Sequence, residues 1–297
     1  MMVEASPRVA LIVNPEAGGG RARKLVPEVE AALRARGMAC RTALTTDLEN
    51  GITIARQAAG AGEIPVVMSG DGLIGQIGGA LAGSEATMGI VPAGRGNDLA
   101  RVLGIPAEPA GAAEVIAAGH TREVDVGDAG QRRFLGIASC GFDSDANAYA
   151  NEARLVRGNL VYLYAALRAL AAWKPARFEL TLDGEQVSFT GYSVGACNNK
   201  AYGGGMYAAP DAELDDGLYD VVWCEHVSKL RFLFRVIPRT FKGTQVELPE
   251  ITVRRARQVE ISADRPFAVY ADGDPLIGLP ARMTLLPRAL RVLAPPQ

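Results

Sequence analysis

Residues 66–101 read VVMSGDGLIGQIGGALAGSEATMGIVPAGRGNDLAR. Two short apolar runs, 64–68 and 88–91, each end in a glycine-rich turn, and each turn leads into a stretch of helical character. Short apolar runs bounded by such turns read as fully buried strands. Strand, turn and helix repeated in this order predict a parallel sheet flanked by helices. The upstream sequence agrees. Arg8–Val13 (RVALIV) is another buried run, bounded by Asn14-Pro15. Residues 22–36 place Leu25, Val29, Ala32 and Leu33 on one helical face, closed by Gly37. Residues 38–44 alternate as a strand, and Asp47 is placed to cap a helix ending near Ala59. Ligands of such sheets bind beyond the carboxyl ends of the strands. The turns 14–20, 69–72 and 92–98 all fall there, so three loops are expected on one edge.

The rest of the chain differs. Residues 121–140 and 176–225 show strand-like alternation broken by turn signals, and strand-like pieces resume at 250–253, 258–262, 267–270 and 283–286. Helical inserts are expected at 144–173, with a break at Gly158, and at 227–241. The pattern predicts a second, mostly antiparallel β domain, with the boundary near 124–127.

Composition narrows the class. With 297 residues, 48% hydrophobic and 22% charged, this is a folded chain of one large or two ordinary domains. A net charge of −2 steers nothing toward nucleic acid. Four scattered cysteines lack metal-ligand spacing and read as reduced, mostly buried thiols. The start MMVEASPRVALIVNP is too short and acidic for a signal peptide, and the apolar stretch 160–173 falls short of the ~20 residues of a membrane span.

Each motif has a plain reading beside a chemical one. In Ser69-Gly70-Asp71-Gly72, backbone N–H groups at a helix start can approach a phosphate. Asp71 would repel that phosphate unless it holds Mg²⁺ or accepts a hydroxyl proton; equally, it is an N-cap in a tight turn. In the turn 92–98, Gly94 and Gly96 flank Arg95, whose guanidinium could reach the same phosphates, while Asn97 or Asp98 can cap a helix beginning near Leu99. The turn 14–20 lacks the lysine-bearing P-loop pattern and the clean dinucleotide fingerprint, which disfavours a P-loop NTPase or Rossmann dehydrogenase. Gly191-Tyr192-Ser193-Val194-Gly195 matches a nucleophile elbow, but the residues after it make a poor helix, and the hydrolase reading is disfavoured. Asp272-Gly273-Asp274 is a hairpin turn or a carboxylate pair brought back to the nucleotide; the hairpin is favoured. The acidic turn 212–218 either holds a cation or is solvated. The basic, apolar stretch 229–242 is read as a core-packed helix with a solvated side in preference to a membrane-interface helix.

Taken in order, VNPEAGGG, SGDGLIGQIGGAL, PAGRGNDLARVLGIP and YADGDPL resemble the diacylglycerol kinase catalytic family, which includes bacterial diacylglycerol kinases and the sphingosine and ceramide kinases, over nearly the whole chain. The resemblance implies an N-terminal NAD-kinase-like α/β nucleotide-binding domain (1–125), a C-terminal β-sandwich lipid-substrate domain (126–282), and a final segment (283–297) returning to the first. It implies an ATP-dependent lipid kinase that phosphorylates diacylglycerol, the alternatives being a kinase for another lipid alcohol (sphingoid base, ceramide, phosphatidylglycerol) or a catalytically weak nucleotide-binding regulator, with Mg²⁺, a lipid substrate, peripheral membrane contact and a cytoplasmic location; a homodimer is left open. Asn14, Pro15, Glu16, Ala17, Gly18 and Thr46 are implied as nucleotide contacts, and Ser69, Gly70, Asp71, Gly72, Leu73, Ile74 and Gly75 as the wrap around the phosphates. Gly94, Arg95, Gly96, Asn97 and Asp98 form the partner loop, with Asp71 and Asp98 toward the metal. Asp274 stands at the general-base position, with Asp272 and Asp71 beside it as catalytic carboxylates. Glu213 and Leu218 (carbonyls) and Asp216 (carboxylate) match a structural Mg²⁺ site. Three residues depart from the family: Leu73 replaces Thr, Arg95 replaces a small hydroxyl residue, and Asp274 replaces Glu.

Overall fold

The computed structural model describes residues 7–152 and 160–296. In the N-terminal half, β1 (Arg8–Val13), α1 (Ala17–Ala35), β2 (Ala39–Leu44), α2 (Leu48–Gly60), β3 (Ile64–Ser69), α3 (Asp71–Leu81) and β4 (Thr87–Pro92) alternate, followed by α4 (Asp98–Val102) and α5 (Pro109–Ala118). The strands lie in the order β2-β1-β3-β4, all parallel. β1, β3 and β4 are buried almost throughout, as helices on both faces require of a parallel sheet. α1 packs with α5, and α2 with α3. Regular α1 geometry begins only after Gly20, because Gly18, Gly19 and Gly20 all have left-handed φ.

Then come β5 (Thr121–Asp128), β6 (Arg133–Phe134), β7 (Ile137–Gly141), α6 (Phe142–Glu152), α7 (Leu160–Ala172), β8 (Ala176–Leu182) and β9 (Glu185–Cys197). The short pair β10 (Ala201–Tyr202) and β11 (Met206–Tyr207) precedes β12 (Tyr219–Glu225). Helical turns fill Lys229–Glu247 before β13 (Ile251–Ala256), β14 (Gln258–Ala263), β15 (Ala268–Ala271), β16 (Asp274–Gly278) and β17 (Ala281–Leu293). Apart from the separate pair β10–β11, these strands form the antiparallel β-sandwich. β8 buries alternate residues, the mark of a strand with one face in the core and one in water. The nucleophile-elbow match lies inside β9, with no helix after it. Cys140, Cys197 and Cys224 are buried, and all four cysteines are free thiols.

β17 joins the halves. It runs antiparallel to β14 and β5, and its last residues pair in parallel with β4 at Arg291–Thr87 and Val292–Met88. Ala281, Met283 and Leu285 enter the sandwich core, while Leu290, Val292 and Leu293 enter the α/β core. The expected boundary at 124–127 therefore falls inside β5, a paired strand and not a linker. Where β17 breaks register with β5, the buried carboxylate of Asp125 accepts the N–H groups of Arg288 (2.6 Å) and Gly217 (2.7 Å). The break expected at Gly158 lies outside the described residues. The segment expected as one helix at 227–241 is two α turns around the π-helical turn Phe232–Val236. Pro238 supplies no N–H to an α ladder there, and Ile237 N–H reaches back to the Phe232 carbonyl.

Candidate functional site

β1 and β3 are neighbours, but α1 carries the chain to β2 on one side and α3 carries it to β4 on the other. The crevice between their carboxyl ends is a topological switch point, where open α/β sheets bind ligands. A cleft of about 470 Å³ opens there. Its walls are Asn14, Pro15 and Glu16 after β1, Thr45 to Leu48 after β2, Gly72, Leu73 and Gln76 on α3, and Asp274 from the sandwich. A larger groove of about 680 Å³ lies on the solvent face of the sandwich among Arg177, Glu179, Glu260 and Arg282. Those charges pair with one another, and none of the glycine loops reaches it.

The loops hold one another in place. Asn14 Oδ1 accepts Glu16 N–H at 3.0 Å, and the N–H groups of Gly19 and Gly20 close onto the Glu16 carbonyl. That turn is therefore shut on itself, and those two donors are spent internally. Ala17 is buried in the core. Beyond β2, Asp47 caps α2 by accepting Asn50 N–H (2.8 Å), and Thr46 donates to Asp47. The turns after β3 and β4 touch: a Cβ on Gly70 would meet Gly94 Cα at 3.2 Å. Asn97 clamps the second turn, accepting Gly94 N–H (2.8 Å) and donating to the Gly94 carbonyl.

Helix α4 has no cap of its own; neither Asn97 nor Asp98 performs the capping expected of them. Asp71 does it from the other loop, its Oδ1 accepting Leu99 N–H at 3.1 Å. Asp98 is buried and fully engaged, with Arg101 on one oxygen (2.5 Å) and Gly204 N–H on the other (2.8 Å). It ties the turn after β4 to the β10–β11 turn. Arg95 is exposed at the loop tip and makes no ion pair among the described residues. Ile74 is a fully buried core side chain and Gly75 is covered, so neither lines the cleft.

The sandwich closes the site with the β15–β16 hairpin. Asp272 and Gly273 both have left-handed φ (+53° and +92°), which is the turn that suits a two-residue hairpin. Asp272-Gly273-Asp274 is thus a hairpin turn, and the same turn presents two carboxylates to α3. A Cβ at Gly72 would stand 2.5 Å from Asp274 Oδ2, and one at Gly75 would stand 2.5 Å from Asp272 Oδ2. Only glycine lets the hairpin tip approach the helix so closely. Asp272 also accepts Leu135 N–H (3.2 Å) and Gly136 N–H (3.4 Å), so one carboxylate joins the hairpin, the β6–β7 turn and α3.

Charge accumulates here. Burial pushes Asp272 up to about 7, its backbone donors oppose the shift and the Asp71 charge adds to it. Burial also raises Asp71, against the Leu99 N–H and with the Asp98 charge. Asp274 is exposed as a residue, yet its carboxylate lies against α3 and is desolvated enough to be raised, with Arg132 opposing. A set of raised carboxylates at a helix N-terminus favours the arrival of a cation or a proton. Sequence reasoning missed Thr45, Asp47, Leu48, Gln76 and Arg132. Gln76 could have been found, since it lies one helical turn beyond Gly72; Arg132, which donates to the Pro275 carbonyl at 3.0 Å, has no local signal.

The expected Mg²⁺ site at Glu213, Asp216 and Leu218 does not fit a bound ion. Asp216 Oδ1 accepts Leu218 N–H (3.0 Å), and its other oxygen is ion-paired with Arg255. Asp215 pairs with Arg122 at 3.1 Å, and Asp125 holds Gly217 N–H. The Arg255 guanidinium thus pairs with the carboxylate expected to hold the ion. Among the described residues no three acidic, cysteine or histidine side chains gather to hold a metal.

Residues 8–129 match the model of the diacylglycerol kinase catalytic domain, and residues 136–294 match that of the YegS C-terminal NAD kinase beta sandwich-like domain. A diacylglycerol kinase of Mycobacterium tuberculosis (strain ATCC 25618 / H37Rv) is 35% identical over 97% of this chain and 95% of its own. A protein named "Probable lipid kinase YegS-like" from Pseudomonas fluorescens is 32% identical over 90% and 91%. The crystal structure of a diacylglycerol kinase from Bacillus anthracis superposes with a TM-score of 0.76 over 98% of both chains; at 22% identity it speaks for the fold alone. With two matched domains in the family's order and relatives similar from end to end, the chain belongs to the diacylglycerol kinase family of lipid kinases.

Proposed function

We propose that the protein transfers the γ-phosphoryl group of MgATP to the hydroxyl of diacylglycerol, giving phosphatidate and ADP. The observation that carries this reading is the switch-point cleft closed by Asp274, in a chain whose M. tuberculosis relative is named a diacylglycerol kinase. The nucleotide substrate would lie across the turns at 14–16, 45–48 and 69–73, with Arg95 free to fold onto its phosphates. Phosphoryl transfer asks mostly for positioning and charge stabilisation. The acceptor oxygen attacks the γ-phosphorus, the bond to the β,γ-bridging oxygen breaks, and Asp274 takes the hydroxyl proton. Its raised affinity for a proton suits that task. Asp71 would lie beside the phosphates, where the magnesium of the nucleotide substrate would offset its charge. Asp272 is a positioning residue that fixes the hairpin carrying Asp274.

A second reading, transfer to another lipid alcohol such as a sphingoid base, ceramide or phosphatidylglycerol, is left open by the P. fluorescens relative, whose name gives a lipid kinase and no acceptor. Incubation with γ-labelled ATP and a panel of lipid alcohols separates the two. Label in phosphatidate supports the first reading, label confined to another lipid supports the second, and no labelled lipid from protein that binds ATP overturns both.

A further inference from the structure

Among the described residues seven large apolar side chains are exposed, and five of them lie on two adjoining elements: Tyr164 and Leu167 on α7, and Leu230, Phe234 and Phe241 on the segment after β12. Lys229 Nζ donates to the Ala171 carbonyl at 2.8 Å, joining the end of α7 to that segment. The segment is apolar on both sides. Phe232 and Val236 face inward, and the Phe232 ring stacks on Tyr192 at 3.9 Å. On the other side Leu230 is 69%, Phe234 72% and Phe241 60% exposed. A helix that only covers a core needs one apolar face, so burial of Phe232 and Val236 leaves the outer side unexplained.

The charge pattern names the occupant. Residues 226–246 contain five lysines and arginines and no acidic residue, in a chain of net charge −2. Arg231 is held by Glu250 (2.8 Å). Lys229, Arg235, Arg239 and Lys242 make no ion pair among the described residues. Large apolar tips interleaved with such cations suit an anionic lipid surface, where the rings enter the acyl boundary and the cations meet headgroup phosphates. A protein partner would match the apolar tips but would need an acidic rim of its own. Among the described residues no helix is long and apolar enough to cross a membrane, which is compatible with surface contact.

We infer that Leu230, Phe234 and Phe241, with Arg235, Arg239 and Lys242, form a docking surface for anionic bilayers. This deepens the lipid-kinase reading, on which it rests, by naming the surface through which the enzyme would meet its acceptor. The test is co-sedimentation without nucleotide, using vesicles of phosphatidylcholine alone or mixed with phosphatidylglycerol. The wild-type protein should pellet with the mixed vesicles only, and less so at high salt. Arg235→Glu/Arg239→Glu should weaken binding by about fivefold or more per charge, and Phe234→Ser/Phe241→Ser should lose binding while keeping the thermal midpoint. The inference is overturned if wild-type protein ignores anionic vesicles or if the variants bind as it does. It is also overturned if the wild type sediments in solution as a dimer that Phe234→Ser/Phe241→Ser dissolves, since the surface would then serve a second copy. A protein that pellets with vesicles but phosphorylates no lipid leaves the surface standing and overturns the kinase reading. One that phosphorylates a short-chain, water-soluble diacylglycerol but ignores vesicles overturns the surface alone.

Discussion

The Asp274 carboxylate lies against Gly72 at the cleft, and each constrains the other. Glycine at 72 sits in the first turn of α3, where alanine is the better helix former by about 1 kcal/mol. Gly72→Ala should therefore keep or raise the thermal midpoint while its methyl displaces the Asp274 carboxylate. Misplacement of about 1 Å can cost on the order of 10²-fold in rate, so kcat should fall steeply in a well-folded protein. Asp274→Asn should lose about 10²- to 10⁴-fold of kcat with nucleotide binding retained; turnover near wild type in either variant would remove Asp274 from the mechanism. Asp272 gives a different signature. Its folded pKa, about 7, lies above the ordinary carboxylate value, so the fold binds this proton more tightly than the unfolded chain does. The contribution to stability is present below the unfolded pKa and lost as pH rises through about 7. The wild-type midpoint should fall between pH 5 and pH 8 by more than that of Asp272→Asn, and equal slopes would contradict the assignment. At this scale the sequence marked Asp71, because a carboxylate in a glycine turn is odd, while Asp272 and Asp274 read as a hairpin turn and were marked only by the family resemblance. It could not separate the proton acceptor from the residue that fixes it, since that depends on Leu135 and Gly136, more than a hundred residues upstream.

Elements were legible where a local rule governed them. The buried runs of β1, β3 and β4, the Asp47 cap of α2 and the Asp-Gly hairpin all follow from period, cap and turn chemistry. What local rules could not show is help from another loop. Helix α4 borrows its cap from Asp71, 28 residues upstream of Leu99. Asp71→Ala should cost about 1 kcal/mol, the usual value of a lost N-cap, measured by denaturant titration. Asp71→Asn retains an oxygen for Leu99 N–H and should be nearly as stable as wild type, yet both variants should lose turnover if the charge serves the nucleotide. Equal stability of Asp71→Ala and wild type would show the cap to be incidental. The turn 213–218 makes the same point in reverse. Its acidic residues read as either a cation site or a solvated turn, and the resemblance implied the ion, but Arg255, on a strand some forty residues on, answers Asp216. Chelator should leave the wild-type thermal midpoint unchanged. Arg255→Ala should lower the midpoint and make it respond to added Mg²⁺. A drop of several degrees in wild-type protein on chelation would mean that the turn holds an ion after all.

Across the whole molecule, the site exists only because both halves build it, and β17 is the element that couples them. A strand-like run was visible at 283–286, but its continuation to Leu293 crosses Pro287 and Arg288, where period-two alternation fails. The buried carboxylate of Asp125 bridges that interruption by holding Arg288 N–H and Gly217 N–H, a contact that no local pattern announces. Past it, Leu290 and Val292 join the α/β core, just as Met283 and Leu285 join the sandwich core. One strand thus places apolar side chains in two cores, and the tie from Asp98 to Gly204 crosses the same boundary. Opening either half would strip β17 from the other, so the chain should unfold in a single cooperative step. Leu290→Ala and Met283→Ala each empty a fully buried site and should cost about 2–5 kcal/mol. In a protein of this size each kilocalorie lowers the midpoint by about 2–4 °C. Scanning calorimetry should show one transition in wild-type protein and one, moved down by several degrees, in each variant. If Leu290→Ala splits the trace and lowers only one component, the halves fold independently, and the cleft between them is held by its loops and not by the shared strand.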